Sequence, residues 1–322
     1  MSAKTTTAME PAGGPPGRLQ AQSKRYGERA IKWLLAACAM LSVLTTTAIV
    51  FSLVLPTIGF FELVPIDEFL FGTDWTPQFE PPSFGVLGIV AGTLNVTLWA
   101  MLFAIPIGLG AAVYLSEYAS PRVRKIIKPV LEVLAGIPTV AIGFFAVSFL
   151  LPELIQPIWP GDFLGGAVGK PFMALAASLG IALMIVPIIA SLSDDAMRAV
   201  PRGLHEGAYA LGATKAKVAT RVIFPAALSG IVASVVLAIS RAVGETMIVV
   251  LAAGSTPNFT LNPVESIQAM TSYIATTATG DISTGSTDYK SVFAVGTVLF
   301  VMTLVMNVIS IRLVRRYREV YE

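Results

Sequence analysis

The sequence predicts an all-α membrane protein with six transmembrane helices. Of its 322 residues, 55% are hydrophobic and only 13% are charged, and the mean hydropathy is +0.75. Soluble globular chains carry about 25% charged residues. Six stretches of mostly apolar residues reach the length of about 20 that crosses a hydrocarbon core of roughly 30 Å. Because backbone groups in lipid must be bonded within their own segment, each stretch is predicted to be a helix.

The order of polar and apolar segments predicts the domain organisation. Residues 1–27 are rich in Thr, Pro, Gly and Ala and lack hydrophobic periodicity, so they are predicted to form a disordered cytoplasmic tail. Residues 28–322 are predicted to form one transmembrane domain. The first apolar run is longer than the core of a signal peptide and is therefore predicted to remain as a span. The six predicted spans cover residues 30–55, 86–115, 129–151, 171–192, 226–253 and 291–313.

The distribution of Lys and Arg predicts the orientation of the chain. Basic residues are concentrated in the N-terminal tail, in the connections after the second and fourth spans, and at the C-terminus. The remaining connections carry only Lys170 and Lys290 and are otherwise acidic. Connections that are rich in Lys and Arg face the cytoplasm. A multi-pass topology with both termini in the cytoplasm is therefore predicted.

A polar loop of about residues 196–225 separates the fourth and fifth spans. Its spacing pattern is set by Glu206, Gly207, Ala208, Gly212 and Pro225. A helix with such small side chains allows another protein to approach its backbone closely, and Gly212 is suited to a left-handed turn. The alternative is an ordinary basic loop whose glycines only make turns.

The spacing in this loop resembles the EAA loop of permease subunits in ATP-binding-cassette importers. The family pattern is Glu-Ala-Ala, three residues, Gly, nine residues, Ile, any residue, Leu-Pro. Three residue types differ here, because Gly207 stands in place of Ala, Val222 in place of Ile and Phe224 in place of Leu. Small residues remain small and apolar residues remain apolar. The resemblance implies that the loop docks into an ATPase on the cytoplasmic side.

Three further stretches resemble the PstC-type permease of phosphate-specific importers, namely residues 108–121, 131–145 and 240–247. This resemblance implies a type I importer fold and the import of inorganic phosphate across a bacterial plasma membrane. The implied partners are a PstA-type permease in a heterodimer, two PstB-type ATPases that use ATP and Mg, and a PstS-type phosphate-binding protein. Contact with membrane lipid is expected, and no cofactor, metal, catalytic residue or nucleic acid is expected for this chain.

The fifth predicted span contains one basic and one acidic residue, Arg241 and Glu245. Charges in a membrane are costly, so both side chains must face protein or water. Together with Ser234 they fall on one stripe of small and polar residues at helical spacing, predicted to line the substrate pathway or the dimer interface. Because the forked geometry of a guanidinium matches an oxyanion, Arg241 is predicted to contact phosphate. Glu245 is predicted to hold and orient Arg241. The alternative is that Arg241 and Glu245 only neutralise each other.

The third predicted span is interrupted by Gly136 and Pro138. Proline removes a backbone donor and breaks helical hydrogen bonds. Breaks of this kind are tolerated in membranes where protein or a cavity surrounds them, and some mark a transport pathway. Packing and pathway roles both remain open. Among the other charged residues, His205 is expected to be solvated or at an interface, and Glu132 to pair with Lys128.

Other functions are weighed against phosphate import. A sulfate or molybdate permease is the rival within the same class. An ion-coupled secondary transporter would show internal repeats and two broken helices, whereas the sequence indicates only one break. An enzyme is not indicated, since no nucleophile, metal cluster or acid pair is evident. The nearest approach to a nucleotide-binding loop, residues 165–170, has Leu164 in place of the first Gly and is followed by Pro171 where Ser or Thr is needed.

Overall fold

The structure is a computed structural model that describes residues 26–158, 170–283 and 285–316. Residues 1–25 of the predicted tail and most of the glycine-rich stretch at 165–170 lie outside the described residues. The chain divides into two units, Met1–Val50 and Phe51–Glu322.

The described part of the first unit is the beginning of helix α1 (Tyr26–Phe61). The hydroxyls of Thr45, Thr46 and Thr47 each donate to the backbone carbonyl four residues earlier, at 2.8, 3.0 and 2.8 Å. Such bonds satisfy a polar side chain within its own helix. Three consecutive threonines are therefore compatible with a long apolar helix.

The described part of the second unit consists of helices, the loops that join them and one short antiparallel hairpin. Its first half contains α2 (Ile66–Phe71), β1 (Trp75–Thr76), β2 (Ser83–Phe84), α3 (Leu87–Val113), α4 (Pro121–Ala135), α5 (Thr139–Phe145) and α6 (Gln156–Ile158). Its second half contains α7 (Ala174–Arg198), α8 (Arg202–Ala210), α9 (Lys215–Val218), α10 (Phe224–Ala226), α11 (Leu228–Val243), α12 (Met247–Ala252), α13 (Met270–Ala278) and α14 (Thr287–Arg316). Within the described residues, three π-helical segments continue the helices, at Tyr114–Tyr118, Ala146–Ile155 and Ala219–Ile223.

The lengths and compositions of these helices confirm the predicted fold class. Within the described residues, five helices are long and apolar enough to cross a membrane, and a sixth is counted if one bent pair forms a single span. The bent pair joins Lys215–Ala226 to Leu228–Val243 at an angle of 73°.

Two predicted span boundaries are wrong. The third span begins at Thr139 rather than at residue 129, because the break at Gly136 and Pro138 separates it from the amphipathic helix α4. The fifth span is not one helix over 226–253, since α11 ends at Val243 and α12 starts at Met247. Arg241 and Glu245 therefore do not lie on one continuous helix.

Helix α7 is the central element of the second unit. It packs along α3, where an ideal Cβ at Gly108 would lie 2.8 Å from the Ile189 Cβ atom. Glycine allows this approach between two membrane helices. The hydroxyl of the buried Ser178 also bonds the Val96 carbonyl of α3 at 3.1 Å. Because α7 leads directly towards α8, its fixed position also fixes where the loop at 196–225 begins.

Candidate functional site

Helix α8 presents the small residues of the predicted docking loop on an open surface. Glu206 is exposed, and an ideal Cβ at Gly203 or Gly207 would meet nothing within 4 Å. Leu211, at the end of the helix, is 90% exposed. The open glycines leave the backbone of α8 accessible to the surface of another protein. Ala208 is half-buried beneath them, on the side facing the protein.

The turn after α8 depends on Gly212. Its φ angle is +75°, a left-handed conformation that glycine adopts without steric cost. The Gly212 amide donates to the Tyr209 carbonyl at 2.9 Å and the Ala213 amide to the Ala208 carbonyl at 3.1 Å, which ends the helix. The predicted left-handed turn at Gly212 is thus confirmed.

The inner side of the loop is held by a small apolar cluster. Val218 and Ile223 are fully buried and pack with Met197, near the end of α7. Pro225 is exposed and lies in α10, directly before the 73° bend into α11. The loop is therefore fixed on its inner side and open on its outer side.

His205, whose side chain is 25% exposed, connects α8 to the continuation of α3. Its Nε2 atom lies 3.4 Å from the Glu117 Oε1 atom in the π-helical continuation of α3. The Glu117 side chain is only 7% exposed. The only histidine in the chain thus joins the predicted docking helix to a membrane-spanning helix. Sequence reasoning missed this pair because 88 residues separate its members.

A cluster of ion pairs joins α4 to the end of α7. Arg124 donates from Nε and Nη2 to Asp194 Oδ2 at 3.2 and 2.6 Å, and Lys128 bonds Asp195 Oδ1. The Asp194 side chain is fully buried. Lys128 therefore pairs with Asp195, and the expected pairing with Glu132 is wrong. Two adjacent aspartates at the end of an apolar span were the sequence signal for this cluster.

Loss of Arg124 is expected to destabilise the chain strongly. Arg124→Met leaves the buried Asp194 carboxylate without its two nearest donors, which costs about 3 kcal/mol of folding free energy. The midpoint temperature of unfolding of the purified protein should fall. Arg122→Met is the control, because Arg122 is exposed on the same helix. Restoration of the midpoint by the double change Arg124→Met, Asp194→Leu is expected, and equal midpoints for both single variants would contradict the assignment.

Glu245 lies in the break between α11 and α12 and caps the second helix. Its Oε1 atom accepts hydrogen bonds from the amides of Met247 at 3.2 Å and Ile248 at 3.3 Å. A carboxylate at a helix N-terminus bonds free amides and is favoured by the helix dipole. The Glu245 carbonyl also accepts from the Thr271 hydroxyl at 2.8 Å. Its Oε2 atom accepts no hydrogen bond from the described residues.

Arg241 has no acidic partner in the described part of the chain. No carboxylate there lies within 4.0 Å of it, and the nearest polar contact of its Nη2 atom is the Met184 sulfur at 3.8 Å. The alternative that Arg241 and Glu245 neutralise each other is wrong for this structure. The expectation that Glu245 holds Arg241 is also wrong, because the helix break turns Glu245 towards α12. Arg241 is exposed and thus accessible to an anion.

Ser234 is placed inside the chain and does not line an open pathway. It is 1% exposed, and its hydroxyl lies 2.7 Å from that of Ser193 on α7. Ala238, one turn further, is fully buried, and an ideal Cβ at Gly230 would contact Ala196. The small residues of α11 therefore serve packing against α7. This corrects the prediction that they form a continuous stripe with Arg241.

The break at Gly136 and Pro138 is confirmed, and it leads into a helix that packs beside the second break. An ideal Cβ at Gly143 of α5 would lie 3.1 Å from the Ile248 Cα atom of α12. This contact is possible only because residue 143 lacks a side chain. The helices that follow the two breaks, α5 and α12, are therefore in contact, and the described residues contain a break between Val243 and Met247 that the sequence did not indicate.

Within the described residues, five or six membrane helices, helix breaks before α5 and before α12, and an exposed small-residue loop after α7 are the features of the permease subunit of a binding-protein-dependent importer. The chain belongs to the family of binding-protein-dependent transport system inner membrane components, whose profile matches residues 104–319. Members of this family are transport subunits, and the ATPase is a separate protein.

Relatives and solved structures agree with this assignment. The chain is 32% identical over 301 residues to the probable ABC transporter permease protein YqgH of Bacillus subtilis, covering 93% of this chain and 94% of the relative. It is 34% identical over 257 residues to the phosphate transport system permease protein PstC of Mesorhizobium japonicum, covering 76% of each. The predicted resemblance to PstC permeases is confirmed. A bacterial alginate ABC transporter structure covers 91% of this chain and 98% of its own with a TM-score of 0.63 at 17% identity, which shows the type I importer fold.

Proposed function

We propose that this chain is the transmembrane subunit of an ATP-driven importer that translocates inorganic phosphate. The observation that carries the proposal is the Arg241 guanidinium, exposed beside a helix break and without a carboxylate within 4.0 Å in the described residues. A guanidinium binds a tetrahedral oxyanion through two parallel hydrogen bonds. The relatives named PstC support phosphate as that oxyanion.

The importer would contain several other polypeptides. We infer a heterodimer with a PstA-type permease, two PstB-type ATPases and a PstS-type binding protein, and the open glycine surface of α8 supports the ATPase contact. In this assembly the ATPases use ATP and Mg. The prediction that this chain binds no cofactor itself remains a prediction.

The chain is a multi-pass membrane protein, and we propose that both its termini and the loop at 196–225 face the cytoplasm. The bias of Lys and Arg supports this orientation. A reporter that is active only outside the plasma membrane should be silent after Glu322 and active when inserted near Asp74 or Gly280. The reverse pattern would invert the assignment and place α8 out of reach of an ATPase.

Stimulation of ATP hydrolysis tests the proposed function. The complex purified through this chain, reconstituted in lipid, should hydrolyse ATP faster when a phosphate-loaded binding protein is added. Unloaded binding protein is the control. Lack of stimulation by the phosphate-loaded form would contradict the proposal.

Permeation of another oxyanion is the second candidate, because Arg241 suits sulfate or molybdate as well as phosphate. Stimulation by a sulfate-loaded or molybdate-loaded binding protein in the same assay would favour it. The second helix break, before α12, is a feature that ion-coupled secondary transporters also show. The family profile, which matches residues 104–319, argues against this class.

A further inference from the structure

Helix α4 carries an unpartnered apolar face. Val123, Ile126, Val130 and Val133 are 36%, 68%, 51% and 73% exposed, and none of the residues of α4 is buried. Both ends of the helix adjoin membrane spans, since one span ends at Tyr118 and the next begins at Thr139. Helix α4 therefore lies near the membrane boundary, on the side where α7 leads into α8. An amphipathic helix at this level places its apolar face among lipid chains.

A basic cavity of about 520 Å³ lies between α4 and the end of α7. Four cationic side chains and the single carboxylate of Glu132 line it. Two of the cations, Arg124 and Lys128, are paired with the aspartates of α7. The other two, Lys125 and Arg198, are exposed and have no ion pair within the described residues. Both are thus available to a negatively charged group.

A second, apolar groove of about 390 Å³ is lined by residues of α3, α4, α7 and the π-helical segment Ala146–Ile155. Every residue that lines it is apolar, among them Leu131 and Leu134 of α4 and Leu183 of α7. Pro187 and Leu179 lie about 16 Å and about 28 Å along α7 from Arg198, at a rise of about 1.5 Å per residue. The hydrocarbon of one leaflet is about 15 Å deep below a headgroup layer of about 6 Å. The Pro187 end of the groove thus lies at the depth of the lipid chains of the leaflet next to Arg198, whereas Leu179 lies beyond that leaflet.

We propose that the cavity and the groove together bind one anionic phospholipid. Lys125 and Arg198 contact its phosphate and charged headgroup, and an acyl chain enters the groove at Pro187 and ends near Leu183, about 22 Å from Arg198 along α7. Both parts are lined by residues of α4 and α7, so a molecule with a charged head and a long apolar tail can reach from one to the other. A helix of the partner permease would fill the groove but would leave the cationic side chains without a counter-charge.

Lipid titration of the purified importer complex tests this site. The complex is stripped of lipid in detergent, titrated with phosphatidylglycerol or phosphatidylcholine, and its bound lipid is counted by native mass spectrometry. The unsubstituted complex should prefer phosphatidylglycerol. The double variant Lys125→Gln, Arg198→Gln should bind phosphatidylglycerol about 30-fold more weakly, since each surface cation contributes about 1 kcal/mol of attraction. Leu183→Trp should reduce the binding of both lipids.

Two variants serve as controls in the lipid titration. Arg312→Gln removes an exposed charge elsewhere, and Leu98→Trp adds bulk to an exposed position outside the groove, so both should retain lipid. Equal phosphatidylglycerol affinity of the double variant and the unsubstituted complex would overturn the proposal. In a second contrary outcome, Leu183→Trp impairs assembly of the permease heterodimer while the complex that still assembles binds as much lipid as before. That result would assign the groove to a helix of the partner permease and would also overturn the proposal.

Discussion

Replacing Gly212 with tryptophan is expected to abolish uptake while the chain still inserts into the membrane. The glycine is exposed, has a φ angle of +75°, and has open space where a side chain would start. A left-handed conformation costs a residue other than glycine about 1–2 kcal/mol, which an otherwise intact helical bundle tolerates. The indole would extend from the surface that we propose enters the ATPase. Uptake of labelled phosphate and copurification of the ATPase are the measurements.

Two further variants separate bulk from backbone strain. Gly212→Ala imposes the same strain with little bulk and should retain most of the bound ATPase. Gly285→Trp places the same bulk at another open glycine with positive φ, +94°, far along the chain from α8, and should also retain the ATPase. Normal uptake with Gly212→Trp would remove the docking assignment for Glu206 and its neighbours.

Replacing Arg241 with glutamine is expected to reduce phosphate transport at least about 100-fold. A charged hydrogen bond contributes about 1.5–3 kcal/mol, and a guanidinium can make two of them to one anion. The complex should still assemble, because Arg241 is exposed and has no carboxylate within 4.0 Å among the described residues. Arg312→Gln, at an exposed arginine of α14, is the control. Uptake by Arg241→Gln at the control level would show that Arg241 does not contact the substrate.

Replacing Glu245 with glutamine is expected to lower phosphate uptake and to weaken the exclusion of sulfate. The amide oxygen can still accept from Met247 and Ile248, so the cap of α12 is preserved while the negative charge is lost. At neutral pH phosphate carries a proton that a carboxylate can accept in a hydrogen bond, whereas sulfate carries none. An unpaired acceptor costs about 1–3 kcal/mol, enough for about tenfold discrimination.

The comparison with Glu245→Ala distinguishes selectivity from structure. Alanine removes both the charge and the cap, and loss of a cap costs about 1 kcal/mol of stability. Only the alanine variant should lower the thermal stability of the complex. Sulfate exclusion that remains intact in Glu245→Gln would assign Glu245 to the helix cap alone. Transport is measured with a loaded binding protein for each anion.

The fold class and the loop at 196–225 were predictable because each rests on a local pattern. Apolar length alone indicates five or six spans, and the left-handed turn at Gly212 follows from its residue type. The boundary of the third span was missed because the apolar residues of α4 continue the pattern of the helix that follows it. Their amphipathic arrangement, with Arg124 and Lys128 on one side, was the overlooked signal.

The geometry around Arg241 was not predictable from the sequence. In the stretch from Ser240 to Met247, Gly244 is a local signal for the end of α11 at Val243, but a single glycine is also common inside membrane helices and does not by itself predict a break. The break exists because Glu245 bonds amides that a continuous helix would use otherwise. Whether Ser234 faces a channel or α7 likewise depends on Ser193, a residue 41 positions earlier. Contacts between distant residues decide such questions.

The glycines of this chain would separate into two groups in a scan of substitutions that records membrane abundance and transport together. At Gly143 and Gly230 a side chain would meet a neighbouring helix, so substitution should lower abundance, and transport only in proportion. At Gly203 and Gly207 a side chain meets nothing within 4 Å, so abundance should remain normal while transport falls. Positions at which substitution lowers transport but leaves membrane abundance unchanged would thus identify the residues that contact the ATPase, without a structure of the complex.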